Sequence, residues 1–375
     1  MNDPAYSAAR AVASKVHEHF AHHAQTSAAG AARTSAGVGP DVIEAVIDAA
    51  FWASLRREEH YVPRVSIAIM APEDAVQPLV FEHPLSLNAG SLVHVSAAVE
   101  RPGLHLAVWR FGEQLCVWST VRAVPTWCCV VEVAAPGLLV IKHRPSDLSG
   151  KFVNLAVLEG DQIKIIDERA RMASDCPAVV GSLLGSDALA LDSTNVFIEL
   201  AVSMRAHARG GSLLVVPEGA DVWRESIVHP IPYSISPRFG ELADLMRDPP
   251  HERPGSWDVS YRRVIDTIAG LTAVDGATVL TDHYALVAFG AKISRRDGFA
   301  RAEQVAVSEP IEGARTEIVH PGQIGGTRHL SAVQFVQDQH DALALVASQD
   351  GRFTVFSWSS CDAMVRADRI ESLLL

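Results

Sequence analysis

From residue 64 to about 168 the chain runs in short β-type stretches divided by turn residues. After about residue 185 the rhythm changes to helices alternating with wholly apolar strands. The first region reads "VSIAIMAP", "LHLAVWRFG", "QLCVWST", "TWCCVVEVA", "GLLVIKH" and "KFVNLAVLEGDQIKIID". Strand and turn signals at such close spacing predict a mainly antiparallel β domain, with "EGDQ" as a hairpin turn. In the second region "STNVFIELAVSMRAHARGG" predicts a helix with Ser193 as N-cap and a glycine pair as its stop. "SLLVVP" follows as a buried strand, then a short helix at "FGELADLM" and a longer one at "VSYRRVIDTIAGLTAV". "DGATVL", "YALVAFGAKI", "ALALVAS" and "RFTVFSW" read as further strands. Helices alternating with buried strands predict an α/β domain with a mixed sheet and flanking helices, so the chain is α+β as a whole. The expected division is an N-terminal helix and flexible linker at 1–35, a mainly β domain at 36–185 and the α/β domain at 186–375.

Two features bound the partners such a chain can take. Its 375 residues are 48% hydrophobic and 20% charged, the profile of a soluble globular protein. The 44 acidic residues outnumber the 32 basic ones for a net charge of −12, which disfavours nucleic acid or an anionic membrane as partner. No apolar stretch approaches the ~18 residues of a membrane span, and the first residues lack the apolar core of a signal peptide. The five cysteines show no C-x-x-C spacing, so a reduced, cytoplasmic location is expected.

At the N-terminus, "HEHFAHH" (17–23) reads as a solvated helix whose His19 and His23 need no metal. Asp41 is expected to cap a helix carrying Val42, Ile43, Val46, Ile47 and Phe51 on one face. Trp109, Trp118 and Trp127 read as core or pocket aromatics of the β domain.

Three polar clusters interrupt the apolar strands of the second region. They are Asp275-Gly276-Ala277 at a helix-to-strand junction, Gly326-Thr327-Arg328-His329 opening a helix, and Ser348 at a strand end. Each alone has an ordinary explanation as a turn, a helix cap or a chain end. Together they suit a nucleotide: a glycine-rich helix start offers backbone N–H groups to phosphate, and Arg328 adds a planar charged fork. Asp275 and His329 have the donor atoms for a divalent metal, and Gly276 leaves room for a nucleoside against the backbone. There is no H-E-x-x-H, no Walker A loop and no G-x-S-x-G, so zinc proteases, P-loop ATPases and α/β-hydrolases have no foothold.

These motifs resemble the diadenylate cyclase (DAC) domain family, which carries DGA on a strand and, some tens of residues later, GTRHR followed by small residues. The resemblance covers roughly residues 190–360 and includes "RAHARGGSLLVVPEG" and "GGTRHLSAVQFVQDQHDALALVASQDGRFTV". Residues 36–165 resemble the sensor domain that precedes one bacterial subgroup of these cyclases, through "AAFWASLRREEHYVPRVSIAIMAP" and "LCVWST". The resemblance implies condensation of two ATP molecules to cyclic di-AMP and two pyrophosphates across a face-to-face homodimer, with Mn²⁺ or Mg²⁺ and an N-terminal domain of unknown ligand. It implies Asp275 and His329 at the metal, Asp275 also at the attacking hydroxyl, and Thr327, Arg328 and Ser348 at phosphate. Gly276, Ala277 and Gly326 then complete the nucleotide site. Two residues depart from the pattern: Leu330 replaces a second arginine, and Gln349 replaces an acid that Asp350 is placed to supply. A nucleotide sensor without turnover, or a cyclase making a mixed or linear dinucleotide, are the alternatives those departures imply.

Overall fold

Chain segments whose apolar residues recur at helical or alternating spacing build the hydrophobic cores of two units. A computed structural model describes residues 5–26, 38–58, 60–144, 152–167, 195–248, 253 and 255–375. The chain divides into two compact units, Met1–Ile166 (joined by Leu375) and Asp167–Leu374. The expected linker and the 185/186 boundary fall outside the described residues.

The first unit contains helices α1 (Ser7–Thr26), α2 (Pro40–Ser54) and α3 (Ala89–Val95). Its sheet is built from β1 (Ser66–Ile69), β2 (Leu79–Ser86), β3 (His105–Phe111), β4 (Gln114–Val121), β5 (Val130–Ala135), β6 (Leu138–His143), β7 (Val153–Glu159) and β8 (Gln162–Ile165). The order is β2-β4-β3-β1-β5-β6-β7-β8, antiparallel except for the β1–β3 pair. Glu159 faces Gln162 across the expected "EGDQ" turn. Trp118 is buried and its indole donates to the Met70 carbonyl, whereas Trp109 and Trp127 are half-buried. Cys128 and Cys129 are buried free thiols, and burial pushes the Cys129 thiol up to about 12, so neither is a ready metal ligand.

Two expectations for this unit are corrected. Helix α1 is not solvated: Ala9, Val12, Ala13, Val16 and Phe20 form a buried stripe against α2. Tyr6, just before it, stacks on Phe51 with ring centres 3.7 Å apart and donates its N–H to Asp48 Oδ1 at 2.7 Å. The histidines that dominate this stretch hide an ordinary amphipathic face, and alanine supplies its close packing. Asp41 is not the cap of α2 either. Gly39 holds that position and Pro40 opens the helix, which leaves Asp41 in the first turn to pair with Arg110.

The second unit contains α4 (Val196–Ala206), α5 (Glu241–Arg247), α6 (Trp257–Leu271) and α7 (Thr327–Asp338). Ser193 lies outside the described residues; the N-cap of α4 is Asn195, whose side chain accepts the N–H of Ile198. The strands are β9 (Gly211–Val216), β10 (Tyr233–Phe239), β11 (Ala277–Thr281), β12 (Leu286–Ala291), β13 (Val305–Ser308), β14 (Glu317–Val319), β15 (Leu343–Ala347), β16 (Phe353–Ser359) and β17 (Met364–Arg369). They form one mixed sheet, β10-β12-β11-β9-β15-β16-β17-β13-β14. Only β9–β11 and β13–β17 run parallel. β9, β11 and β15 are buried along their whole length, which explains why their sequences are apolar without alternation. One face packs on α4 and α6 through Leu200, Met204, Ile265 and Ile268. The other packs on α7 through Val333, Phe335 and Val336. Among the described residues no helix is long and apolar enough to cross a membrane.

Because Phe20 is 4% exposed, Phe20→Ala should destabilise the first unit by roughly 3–5 kcal/mol in urea denaturation, the usual cost of emptying a buried aromatic site. A neutral result would mean that α1 lies free of the core.

Candidate functional site

Strand direction alone gathers one end of the second sheet. β9 and β11 are parallel, so both begin at the same edge. β12 and β15 are their antiparallel neighbours and end there, with Ala277 opposite Ala291 and Gly211 opposite Ala347. The segments flanking those four strand ends, together with the start of α7, surround a cleft of about 780 Å³. That volume suits a small organic ligand, for which sites run ~300–1,000 Å³.

All eight residues singled out in the sequence line this cleft: Asp275 and Gly276 just before β11 with Ala277 opening it, Gly326 as the cap of α7 with Thr327, Arg328 and His329 in its first turn, and Ser348 after β15. Gln349 and Asp350 line it too, so the acid next to Gln349 does reach the wall. Asp350 lies 3.4 Å from Arg352 in an exposed ion pair. Leu330 does not line the cleft. It faces a neighbouring pocket of about 420 Å³.

Close backbone approach makes the arrangement possible at two glycines. Gly276 has φ +103°, and a Cβ there would stand 2.5 Å from the carbonyl carbon of Gly290. A side chain would therefore force β11 and β12 apart at the edge where Asp275 enters. Gly210 has φ +69°, and a Cβ there would stand 2.9 Å from Nη1 of Arg328. The bare glycine lets the guanidinium lie across the start of β9. Gly326 caps α7 without a side-chain bond; its carbonyl accepts the N–H groups of His329 and Leu330, which leaves those of Thr327 and Arg328 to face an anion.

The charges in the cleft are mixed. Asp275 is exposed and its carboxylate lies 3.7 Å from Lys292 Nζ. Such an exposed pair is worth little, so a charged ligand can separate it at small cost. Lys292 was not legible as a site residue, because it sits at the end of a strand read only as apolar. Ser212, in the strand read only as apolar "SLLVVP", was missed for the same reason; Ser331, one turn along α7, lines the cleft as well. His329 is buried, with its ring edge-on to Phe356. Burial lowers its pKa, Asp350 opposes the shift, and Arg369, Arg352 and Arg328 reinforce it. The imidazole is accordingly neutral at pH 7 and able to act as a ligand or acceptor.

A divalent metal fits this donor set in one way only. Asp275 and His329 supply two donors, and among the described residues no group of three or more His, Cys, Asp or Glu is placed to hold an ion. Mg²⁺ and Mn²⁺ commonly take one or two protein ligands and complete their shells with phosphate oxygens and water, which a bound triphosphate would provide.

Residues 37–122 match the family model described as "Probable sensor domain DACNV", the N-terminal sensor of DAC proteins. This match covers less than a quarter of the chain and lies within the first unit. The catalytic DAC family model is not matched. No curated protein matches the chain.

The shift at His329 has a definite sign. With the folded pKa below the ordinary ~6.5, the unfolded chain takes up the proton first as pH falls. Its contribution to stability is thus present above ~6.5 and lost on acidification through the lowered value. An NMR titration of the His329 ring should give a midpoint below that of a free imidazole; a midpoint above it would contradict the neutral assignment.

Proposed function

We propose that the second unit is a diadenylate cyclase and that the first unit is the sensor that regulates it. The observation that carries this reading is the single cleft that collects Asp275-Gly276-Ala277, Gly326-Thr327-Arg328-His329 and Ser348 from three separate parts of the chain. The sensor-family match at 37–122 supports it independently.

In this reading each chain binds one ATP, and two copies meet face to face. The 3′-oxygen of each ATP attacks the α-phosphorus of the other, its proton passes to the Asp275 carboxylate, and the bond from that phosphorus to pyrophosphate breaks. Two such steps give cyclic di-AMP and two pyrophosphates. The protein's share is positioning and charge compensation. The Arg328 fork and the Thr327 and Ser348 hydroxyls hold phosphate oxygens, with the N–H groups of Thr327 and Arg328 beside them. Gly276 admits the nucleoside close to the backbone. The Asp275 carboxylate accepts the hydrogen bond of the attacking 3′-hydroxyl and aligns it. Lys292, released from Asp275, turns to the polyphosphate. Asp275 and His329 would hold a Mn²⁺ or Mg²⁺ ion, whose charge offsets that building on the phosphoryl oxygens. A homodimer is therefore required, and the cytoplasm, where ATP is abundant, is the proposed location.

A second reading is favoured by two observations. Leu330 faces away from the cleft, and Gln349 stands in its wall in place of an acid. On this view the unit binds a nucleotide without turning it over. One assay separates the two. Purified protein is incubated with ATP and Mn²⁺ or Mg²⁺, and the nucleotides are resolved by mass. Cyclic di-AMP is expected. ATP recovered unchanged from a folded dimer, across metals and pH, leaves only the sensor. Offering all four nucleoside triphosphates together reveals a mixed or linear product.

Asp275→Asn keeps the shape and deletes the charge. It should lower turnover by on the order of a hundredfold or more, the scale of a positioned proton acceptor, with an unchanged thermal midpoint. Full activity in that variant would remove Asp275 from the mechanism.

A further inference from the structure

The pocket that Leu330 faces is not an apolar dead end. Arg295, Arg301 and His320 line it, and among the described residues no carboxylate does. It shares Ile293 and Ser331 with the main cleft, so the two are continuous along α7. Ser331 follows Thr327 by one helical turn, which places the pocket one turn further along the face that begins at the phosphate-binding motif.

We infer that this pocket is an anion subsite for the terminal phosphates of a nucleoside polyphosphate, and that Arg295 and Arg301 supply there the positive charge that Leu330 does not. The inference rests on the nucleotide reading of the main cleft. The two arginines come from the loop after β12, far in sequence from the motif they complete.

That loop is fastened to α7 at several points. Gln334 Oε1 accepts the N–H of Ala302 at 3.1 Å, and Gln334 Nε2 donates to the Ala300 carbonyl at 3.2 Å. Asp338 Oδ2 accepts the N–H of Arg296 at 2.7 Å, and its Oδ1 accepts from Gln334 at 2.8 Å. Both oxygens of the acid beneath the loop are thus hydrogen-bonded, and its charge also acts on Arg295 and Arg296. Arg296 is turned aside to Glu225, at 2.7 Å. His320 is fixed as well, its Nδ1 accepting the N–H of Gly322 at 3.1 Å. These anchors hold the backbone next to Arg295 and on either side of Arg301, so less ordering remains when an anion arrives. Arginine suits the task because its planar fork meets two phosphate oxygens at once.

Calorimetry on the full-length protein with ATP, inorganic pyrophosphate and AMP tests this. Arg295→Ala/Arg301→Ala should weaken ATP and pyrophosphate by at least about tenfold, the loss of one charge-assisted contact. AMP, which has no terminal phosphates, should change less than about twofold. Both residues are exposed, so the fold should survive, as an unchanged thermal midpoint would verify. Arg295→Lys/Arg301→Lys keeps the charge and should retain most of the ATP affinity. If the alanine variant binds ATP and pyrophosphate as the parent does, the subsite is refuted while the nucleotide reading of the cleft stands. Equal losses for all three ligands would also refute it. If the parent protein binds neither ATP nor AMP, the nucleotide reading itself falls and the subsite with it.

Discussion

The second unit depends on the contact between two strands that only glycine permits. At the start of β11 the backbone of Gly276 lies directly on that of Gly290, where no Cβ has room. That contact brings Asp275, just before β11, level with Lys292, just after β12, and sets the two opposite charges at one margin of the sheet. The rest of the margin follows from strand direction. Two strands starting and two ending at one edge leave their connecting segments, the polar parts of the chain, beside one another. The arrangement is the usual one in sheets of this kind, in which apolar strands supply rigidity and their ends supply chemistry.

Hydrophobic burial then fixes which helix meets that margin. Val333, Phe335 and Val336 anchor α7 on the sheet, and the same packing aims its first turn at the cleft. His329 sits where these two influences overlap, buried by the core and aligned by the helix start. Its chemistry is set by its surroundings: loss of water disfavours the charged ring, and three arginines add to that.

The site was more legible in the sequence than the fold around it. Asp275, Arg328 and His329 stand out because charge and glycine break runs that are otherwise apolar, and a break in pattern survives without any knowledge of pairing. Strands β2 and β10 were not legible because each contains a proline, Pro84 and Pro237, which reads as a loop signal. Both are edge strands, where one missing N–H costs a sheet nothing. The short β13 and β14 gave too few residues for a period to show, and β17 mixes charge with apolar residues. Helix α1 was read by its histidines, although its alanines determine how closely it packs. Lys292, Arg295 and Arg301 reach their places only through tertiary contacts, and nothing local marks them.

The neutral ring of His329 also governs what accompanies binding. A ring nitrogen that carries no proton at pH 7 has none to release when it meets a cation or accepts a hydrogen bond. The downward shift moves protonation of this ring to more acid conditions than a free imidazole needs, so the proton competes for that nitrogen later as pH falls.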